Sequence, residues 1–390
     1  MFRHLHDLWS AFFPTEAVFP LQVVGRPGVA VESHEELEAM LTDAFVFFTY
    51  RDGFEGIQAV TRRVTTDQGW GCLLRTSQML LAHFLWGYCR PADRKLSLFY
   101  DCSGETAPFS IHNMIRCVWH RRAFKAEYWS PSQGCEAIKR TMHAAMQTAQ
   151  LQTSVAVVTS TNGCIYADEV LRGFKEGADV VLVLASVRVS AAPQLTQESY
   201  LQIEKLMEQP HCLGIVGGVP GRSYYFFAHN QAQLVYLDPH QRTTPALVSD
   251  APHAAATVTP SAADVRCVHW SRVDTSLFIA FAVRSRADWA ALEPKLPTKF
   301  LHVEPQRQRR DFNRERRARA GGARGVFLSP LQVGGGCGSS GDACDAPSTP
   351  TAAPPSHRRT LRLPREPRST VGGGGNVAHD VDTDSWEYLD

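Results

Sequence analysis

The stretch TTDQGWGCLLRTSQMLLAHFL, residues 65–85, places Cys72 between a glycine-containing turn and a helix. Apolar residues recur after the cysteine at three- and four-residue intervals, which predicts a helix. Asp67, Gly69 and Gly71 predict a turn before it. The thiol is therefore expected at the amino end of a helix, where unpaired backbone N–H groups and the helix dipole favour a negative charge.

Two interpretations of Cys72 follow. Local sequence favours a buried thiol that begins a core helix, because free cysteines are among the most buried residues. The alternative is a nucleophile, with backbone N–H groups placed to hold an oxyanion and with Gly69 and Gly71 leaving room for a substrate backbone. The second interpretation requires a base elsewhere in the chain.

A base is available in QLVYLDPHQ, residues 233–241. Asp238 and His240 are two residues apart and would project to the same side of a continuing strand. Pro239 between them marks a strand end or edge. An imidazole beside a carboxylate is the pair that a cysteine nucleophile needs, although the tripeptide alone is equally typical of a surface turn.

Composition restricts the class of protein. The chain has 390 residues, is 44% hydrophobic and has a formal charge of +1, which gives no reason to expect a nucleic-acid partner. Its ten cysteines form no C-x-x-C pair, so neither a metal site nor any other cofactor is predicted. The amino terminus lacks a secretory pattern, and no apolar run is long enough to span a membrane, so a cytoplasmic protein is expected.

The apolar patterns predict an α+β fold. Helical spacing dominates the first half of the chain, whereas strand-length runs such as DVVLVLASVRV, SYYFFAHN and LFIAFAV dominate the second half. A helical part packed on a mostly antiparallel sheet accounts for this order.

The composition changes near residue 300. Residues 1–300 are predicted to be folded, and residues 301–380 are predicted to be a disordered tail, rich first in arginine and then in Gly, Ser and Pro. The last segment, residues 381–390, contains aromatic and aliphatic residues again. We treat it as a separate motif.

Several motifs together resemble one family. FTYRDGF, TDQGWGCLLRTSQMLLA, APFSIHNM and GIVGGVPGRSYYFFAHNQAQLVYLDPH are similar to the autophagins, the cysteine proteases that process and delipidate the ubiquitin-like modifier of autophagosome membranes. The similarity runs in order from about residue 44 to 296. It implies a papain-like cysteine protease fold in which the cysteine helix packs on the sheet that carries Asp238 and His240.

The resemblance also implies residue roles. Cys72 would be the nucleophile, His240 the general base and later the acid, and Asp238 the group that orients His240. Tyr50 matches the tyrosine that helps to form the oxyanion hole. Trp129 matches the tryptophan that covers the active site, although the residues around it differ.

A gating loop is implied as well. Val219, Pro220, Gly221 and Arg222 fall where the family has a mobile loop that closes the cleft, and Gly221 is a plausible hinge. The implied substrate is the modifier, both as a precursor cut after its terminal glycine and as a conjugate with phosphatidylethanolamine.

The tail adds two expectations about partners. Trp386 and Leu389 in DTDSWEYLD resemble a linear motif that docks on the autophagy modifier by adding a strand to its sheet. The arginine-rich segment from Arg307 to Arg324 is either a solvated linker or a peripheral contact with anionic membranes. The protein is expected to be a monomer.

Two other functions remain open at this point. A protease of the ufmylation pathway shares a GWGC-type cysteine and a DPH element, but LLRTSQMLLA and FTYR favour the autophagins. A decayed protease that only binds the modifier would have lost a catalytic residue, whereas Cys72, Asp238 and His240 are all present.

Overall fold

A nine-stranded sheet forms the centre of the computed structural model, which describes residues 19–119, 123–230 and 232–307. The strands are β1 (Leu21–Val23), β2 (Ala30–Val31), β3 (Tyr50–Gln58), β4 (Arg63–Thr66), β5 (Val155–Thr159), β6 (Cys164–Tyr166), β7 (Val180–Arg188), β8 (Cys212–Val219), β9 (Arg222–His229), β10 (Gln233–Leu237), β11 (Thr243–Pro245), β12 (Val265–His269), β13 (Ser276–Val283) and β14 (His302–Glu304). The main sheet has the order β12-β10-β9-β8-β13-β7-β5, with β1 paired to β9 and to β2.

Helices cover this sheet. They are α1 (His34–Ala44), α2 (Cys72–Tyr88), α3 (Ile111–Trp119), α4 (Pro131–Gln147), α5 (Ala167–Lys175), α6 (Gln197–Met207), α7 (Pro252–Ala256) and α8 (Arg286–Leu292). Helix α2 packs on β8 and β9, and α4 packs on β5, β7 and β13. Strands β7 and β13 have long runs of consecutive buried residues, as expected for strands covered on both faces.

The strand pairing confirms the α+β class. Every pairing in the main sheet is antiparallel except that of β5 with β7. A three-stranded sheet, β11-β3-β4, and the pair β14-β6 lie outside it. The three-stranded sheet matters for the site, because β3 begins at Tyr50 and β11 follows His240.

The first half of the chain is less helical than its sequence indicates. Strands β3 and β4 form a hairpin there, although YRDGFEGIQ has no regular apolar alternation and contains Gly53 and Gly56. At the other end, β14 pairs in parallel with β6, so regular structure continues past the predicted boundary at residue 300. Residues 308–390 lie outside the described part of the chain.

Four buried charged side chains hold the turn before α2. They are Arg51, Asp67, Arg75 and Asp101, and each is at most 1% exposed. Arg75 Nε donates to Asp67 Oδ2, and Arg75 Nη1 lies 2.8 Å from Asp101 Oδ1. The backbone N–H of Arg51 donates to Asp67 Oδ1 over 2.6 Å. Two cations and two carboxylates thus balance one another, which buried charges require.

This charge cluster also connects distant parts of the chain. Asp101 accepts from the backbone N–H of Leu247 over 2.8 Å and donates its own N–H to the carbonyl of Leu247 over 2.7 Å. Arg51 Nη1 donates to the carbonyl of Pro245 over 3.0 Å. The turn before Cys72 is therefore fixed to the segment that follows His240.

Removing Arg75 tests the importance of the cluster. In Arg75→Met, the Asp67 and Asp101 carboxylates lose their shared cation while remaining buried, so we expect the free energy of unfolding to fall by about 3–5 kcal/mol. Urea denaturation would measure it. Arg90→Met is the control, because Arg90 and Asp179 form an exposed pair at 3.8 Å that should contribute no more than about 1 kcal/mol. An Arg75→Met protein as stable as wild type would contradict this role.

Candidate active site

Cys72 is the first residue of α2, and its side chain is almost fully covered. Helix α2 begins there with Gly71 as its cap residue, and no side chain caps the amino end. The backbone N–H groups of the first turn are therefore available to an anion. Cys72 is only 3% exposed.

The turn before the cysteine is shaped by Asp67. The carbonyl of Asp67 accepts from the N–H groups of Trp70, over 3.2 Å, and Gly71, over 2.8 Å. A Cβ atom on Gly71 would lie 2.6 Å from the Cβ of Asp67, a distance that side chains do not tolerate. Gly71 is thus required by the packing of the turn itself. Gly69, whose φ is +86°, lines the neighbouring cleft, whereas Gly71 does not.

His240 and Asp238 lie just after the end of β10. The Nδ1 atom of His240 is 2.5 Å from Asp238 Oδ1, and the same oxygen accepts the backbone N–H of His240 over 2.9 Å. Both side chains are about six-sevenths buried, at 15% and 14% exposure. The carboxylate therefore fixes the ring and leaves Nε2 as the free nitrogen of the imidazole.

The surroundings of His240 favour its protonated form. Burial lowers its pKa, but the hydrogen bond that the ring donates to Asp238 and the neighbouring Cys72 sulfur outweigh burial and raise the pKa to about 9. In the described part of the chain, Nε2 has no hydrogen bond of normal geometry. The sulfur therefore acts on the imidazole as a close electrostatic neighbour.

Tyr50 lies against the same two groups. Its ring meets the His240 ring edge-on with centroids 5.1 Å apart, and its backbone N–H donates to the carbonyl of Pro239 over 3.0 Å. Burial first, and then the Cys72 sulfur, raise the pKa of the Tyr50 hydroxyl far above its ordinary value. The phenol therefore keeps its proton, and the Cys72 sulfur is the neighbour to which its O–H can donate a hydrogen bond.

A cleft of about 480 Å³ opens beside these groups. Its lining includes Tyr50, Gly69, Tyr128, Gly221, Arg222 and His240. Sequence reasoning missed Tyr128, which is 48% exposed. The sequence evidence for Tyr128 was weak, because the next residue is a tryptophan, which is the residue type that the family resemblance implies.

The structure corrects the expectation for Trp129. Its side chain is 4% exposed and packs edge-on against Trp119, with ring centroids 6.4 Å apart. It does not belong to the lining of the cleft, whereas Tyr128 does. In this irregular segment the two neighbouring side chains lie on different sides, so a one-residue difference exchanges the buried and the cleft-facing position.

The predicted gating segment is a tight hairpin. Val219 pairs with Arg222 at the ends of β8 and β9, which leaves Pro220 and Gly221 as a two-residue turn. Gly221 has a φ of +77°, and proline followed by a left-handed glycine is typical of a type II turn. Gly221 and Arg222 line the cleft; Val219 and Pro220 do not.

Other expectations have simpler outcomes. Gln241, which follows the histidine, donates from its side-chain amide to the carbonyl of Asp264 over 2.6 Å. Trp386 and Leu389 lie outside the described residues, as does most of the arginine-rich segment. Within the described ranges there is no group of side chains suited to hold a metal ion, and no helix has the length and apolar character needed to cross a bilayer.

Comparison with known proteins identifies one family. The peptidase C54 catalytic domain matches residues 35–295. A probable cysteine protease ATG4 of Pichia angusta is 30% identical over 289 residues, which cover 65% of this chain and 56% of that protein. A probable cysteine protease atg4 of Schizosaccharomyces pombe is 29% identical over 303 residues, which cover 75% of this chain and 86% of that protein.

A cysteine protease ATG4 of Candida albicans is 33% identical over 182 residues, which cover 45% of this chain and 40% of that protein. The chain thus spans little more than half the length of the Pichia relative. The family match takes in Tyr50, Cys72, Asp238 and His240 within one continuous range. The chain belongs to the peptidase C54 family, the autophagins.

Proposed function

We propose that this protein is a cysteine protease that cleaves the ubiquitin-like autophagy modifier after its terminal glycine. The observation that carries the proposal is the convergence of Asp238, His240 and Tyr50 on the Cys72 sulfur at the start of α2. The relatives named as cysteine proteases ATG4 support the choice of reaction. The C54 family match favours this modifier over that of the ufmylation pathway.

In the proposed mechanism, the Cys72 thiolate attacks the carbonyl carbon of the glycine. A carbon–sulfur bond forms, and the negative charge on the carbonyl oxygen is stabilised by the N–H groups at the start of α2 and by the Tyr50 hydroxyl. The carbon–nitrogen bond then breaks as His240 gives its proton to the leaving amine. Water, deprotonated by His240, hydrolyses the thioester and restores the enzyme.

The same chemistry serves two substrates. In a precursor the leaving amine belongs to the next amino acid, and in the lipid conjugate it belongs to phosphatidylethanolamine. The acyl group is glycine in both reactions, so the enzyme needs one narrow acyl site. Because Cys72 is almost fully covered, side chains of the cleft must move for the substrate tail to enter. Tyr128 and Gly221 line the cleft and are candidates for this movement.

We further propose that the tail brings the enzyme to its substrate. Trp386 and Leu389 would dock on the modifier, and the arginine-rich segment would contact the anionic membrane surface that carries the conjugate. Such tethering raises the effective substrate concentration without changing the active site. The enzyme would act as a cytoplasmic monomer.

Loss of the nucleophile is the direct test of activity. Candidate autophagy and ufmylation modifiers, each extended past the terminal glycine, would be incubated with wild type and with Cys72→Ala, and products followed by mass spectrometry. We expect cleavage after glycine of the autophagy modifier alone, reduced about 10⁴-fold or more in Cys72→Ala. Cys102→Ala, a partly exposed cysteine elsewhere, should cleave normally. Full activity of Cys72→Ala would refute the mechanism, and binding without cleavage by wild type would indicate a scaffold.

The pH profile tests the role assigned to His240. Its pKa of about 9 means that the imidazolium persists below that pH and is lost as the pH rises through it. We therefore expect kcat/KM for precursor cleavage to fall on the alkaline side near pH 9. Asp238→Asn should move this limb to lower pH, because the carboxylate is what favours the protonated ring. An unmoved limb in the variant would argue against the pair.

The tail can be tested on vesicles. Removal of residues 380–390 should slow release of the modifier from vesicles that carry its phosphatidylethanolamine conjugate. Cleavage of a soluble precursor by the same shortened chain should remain almost unchanged. Trp386→Ala with Leu389→Ala in the full chain would distinguish the motif from tail length. Equal rates on vesicles for the full and shortened chains would reject the docking proposal.

A further inference from the structure

Arg222 stands at the tip of the hairpin that borders the cleft. It is the first residue of β9 and pairs with Val219 across the Pro220–Gly221 turn. The hairpin is tight at this point, since a Cβ atom on Gly218 would lie 2.0 Å from the carbonyl oxygen of Arg222. The backbone of Arg222 is therefore held by the neighbouring strand, while its side chain is exposed.

Arg222 and His240 line the same cleft. Burial lowers the pKa of Arg222, but Tyr224, Asp238 and Tyr50 together raise it, so the guanidinium lies within electrostatic reach of all three. The Tyr224 ring in turn meets the His240 ring edge-on at 6.0 Å. Arg222 is thus on the histidine side of the cleft, where the leaving amine must receive its proton.

Arg222 forms no close ion pair with a described carboxylate. Within the described residues, none lies within ion-pair distance of its guanidinium, whereas Arg242, the other arginine of the cleft, pairs with Asp264 and packs over the Phe47 ring at 4.9 Å. Asp238 offsets part of the Arg222 charge at longer range, but no close ion pair with a described residue fixes the guanidinium in place. A guanidinium has five N–H donors, so beside its hydrogen bond to Tyr224 the exposed Arg222 side chain keeps donors for a phosphate group, which it can bind through two hydrogen bonds.

In the proposed lipid reaction, the leaving group carries a phosphodiester close to its amine. Only two carbons and one ester oxygen separate the amine of phosphatidylethanolamine from its phosphorus. We infer that Arg222 binds the phosphodiester of the leaving amine and so favours lipid conjugates over peptide extensions. This inference rests on the proposed function and assigns Arg222 to leaving-group specificity.

Three substrates that share one acyl group test the inference. The modifier would have its glycine linked to glycerophosphoethanolamine, to ethanolamine, or to a neutral peptide extension. In Arg222→Gln we expect kcat/KM for the first substrate to fall about tenfold or more, chiefly through a higher KM. The other two should change less than about twofold, within the scatter of surface substitutions.

Two further variants sharpen the result. Arg222→Lys should keep part of the preference, because lysine also binds phosphate but without the planar fork of donors. Arg188→Gln, an exposed arginine on β7, should leave all three rates unchanged. Equal losses on all three substrates in Arg222→Gln, or an unchanged ratio between them, would overturn the inference while leaving the protease intact. Failure of wild type to cut any of the three would refute the proposed function itself.

Discussion

The buried carboxylate of Asp67 is the constraint around which the active site is built. Its two oxygens accept from the Arg75 guanidinium and the Arg51 backbone, and its carbonyl accepts from the turn that leads to Cys72. One residue thus fixes the helix, the neighbouring strand and the turn between them. Burial of such a charge is tolerable because the Arg75 cation lies against it and both of its oxygens accept hydrogen bonds.

The proposed catalytic groups come from three separate segments, and one small sheet joins two of these segments. Strand β11 pairs in parallel with β3, so Thr243 lies opposite Tyr50. The hydrogen bond from the Tyr50 N–H to Pro239 continues this pairing to the residue between Asp238 and His240. Histidine, its carboxylate and the tyrosine therefore form one rigid group, and Cys72 is positioned against it by the charge cluster below the turn.

Elements that depend on local packing could be predicted from the sequence, whereas elements that depend on contacts between distant residues could not. The apolar period after Cys72 and the β-branched runs of β7 and β13 reflect local packing, and these elements were predicted correctly. Strand β3 was missed because its pairing to β11 comes from distant residues and its own pattern is interrupted by glycine. Tyr128 and Trp129 could not be distinguished, because the direction of a side chain in an irregular segment depends on the packing around it.

The distance in sequence between nucleophile and base has a consequence during synthesis. A chain growing on the ribosome exposes Cys72 long before His240 exists, and Tyr50 acquires its neighbours only when β11 has been made. Strand β1, at the very start of the described chain, must also wait for β9 before it can pair. An incomplete chain therefore has the Cys72 thiol without the imidazole beside it, and the proposed nucleophile and base meet only after the chain has been made past β11.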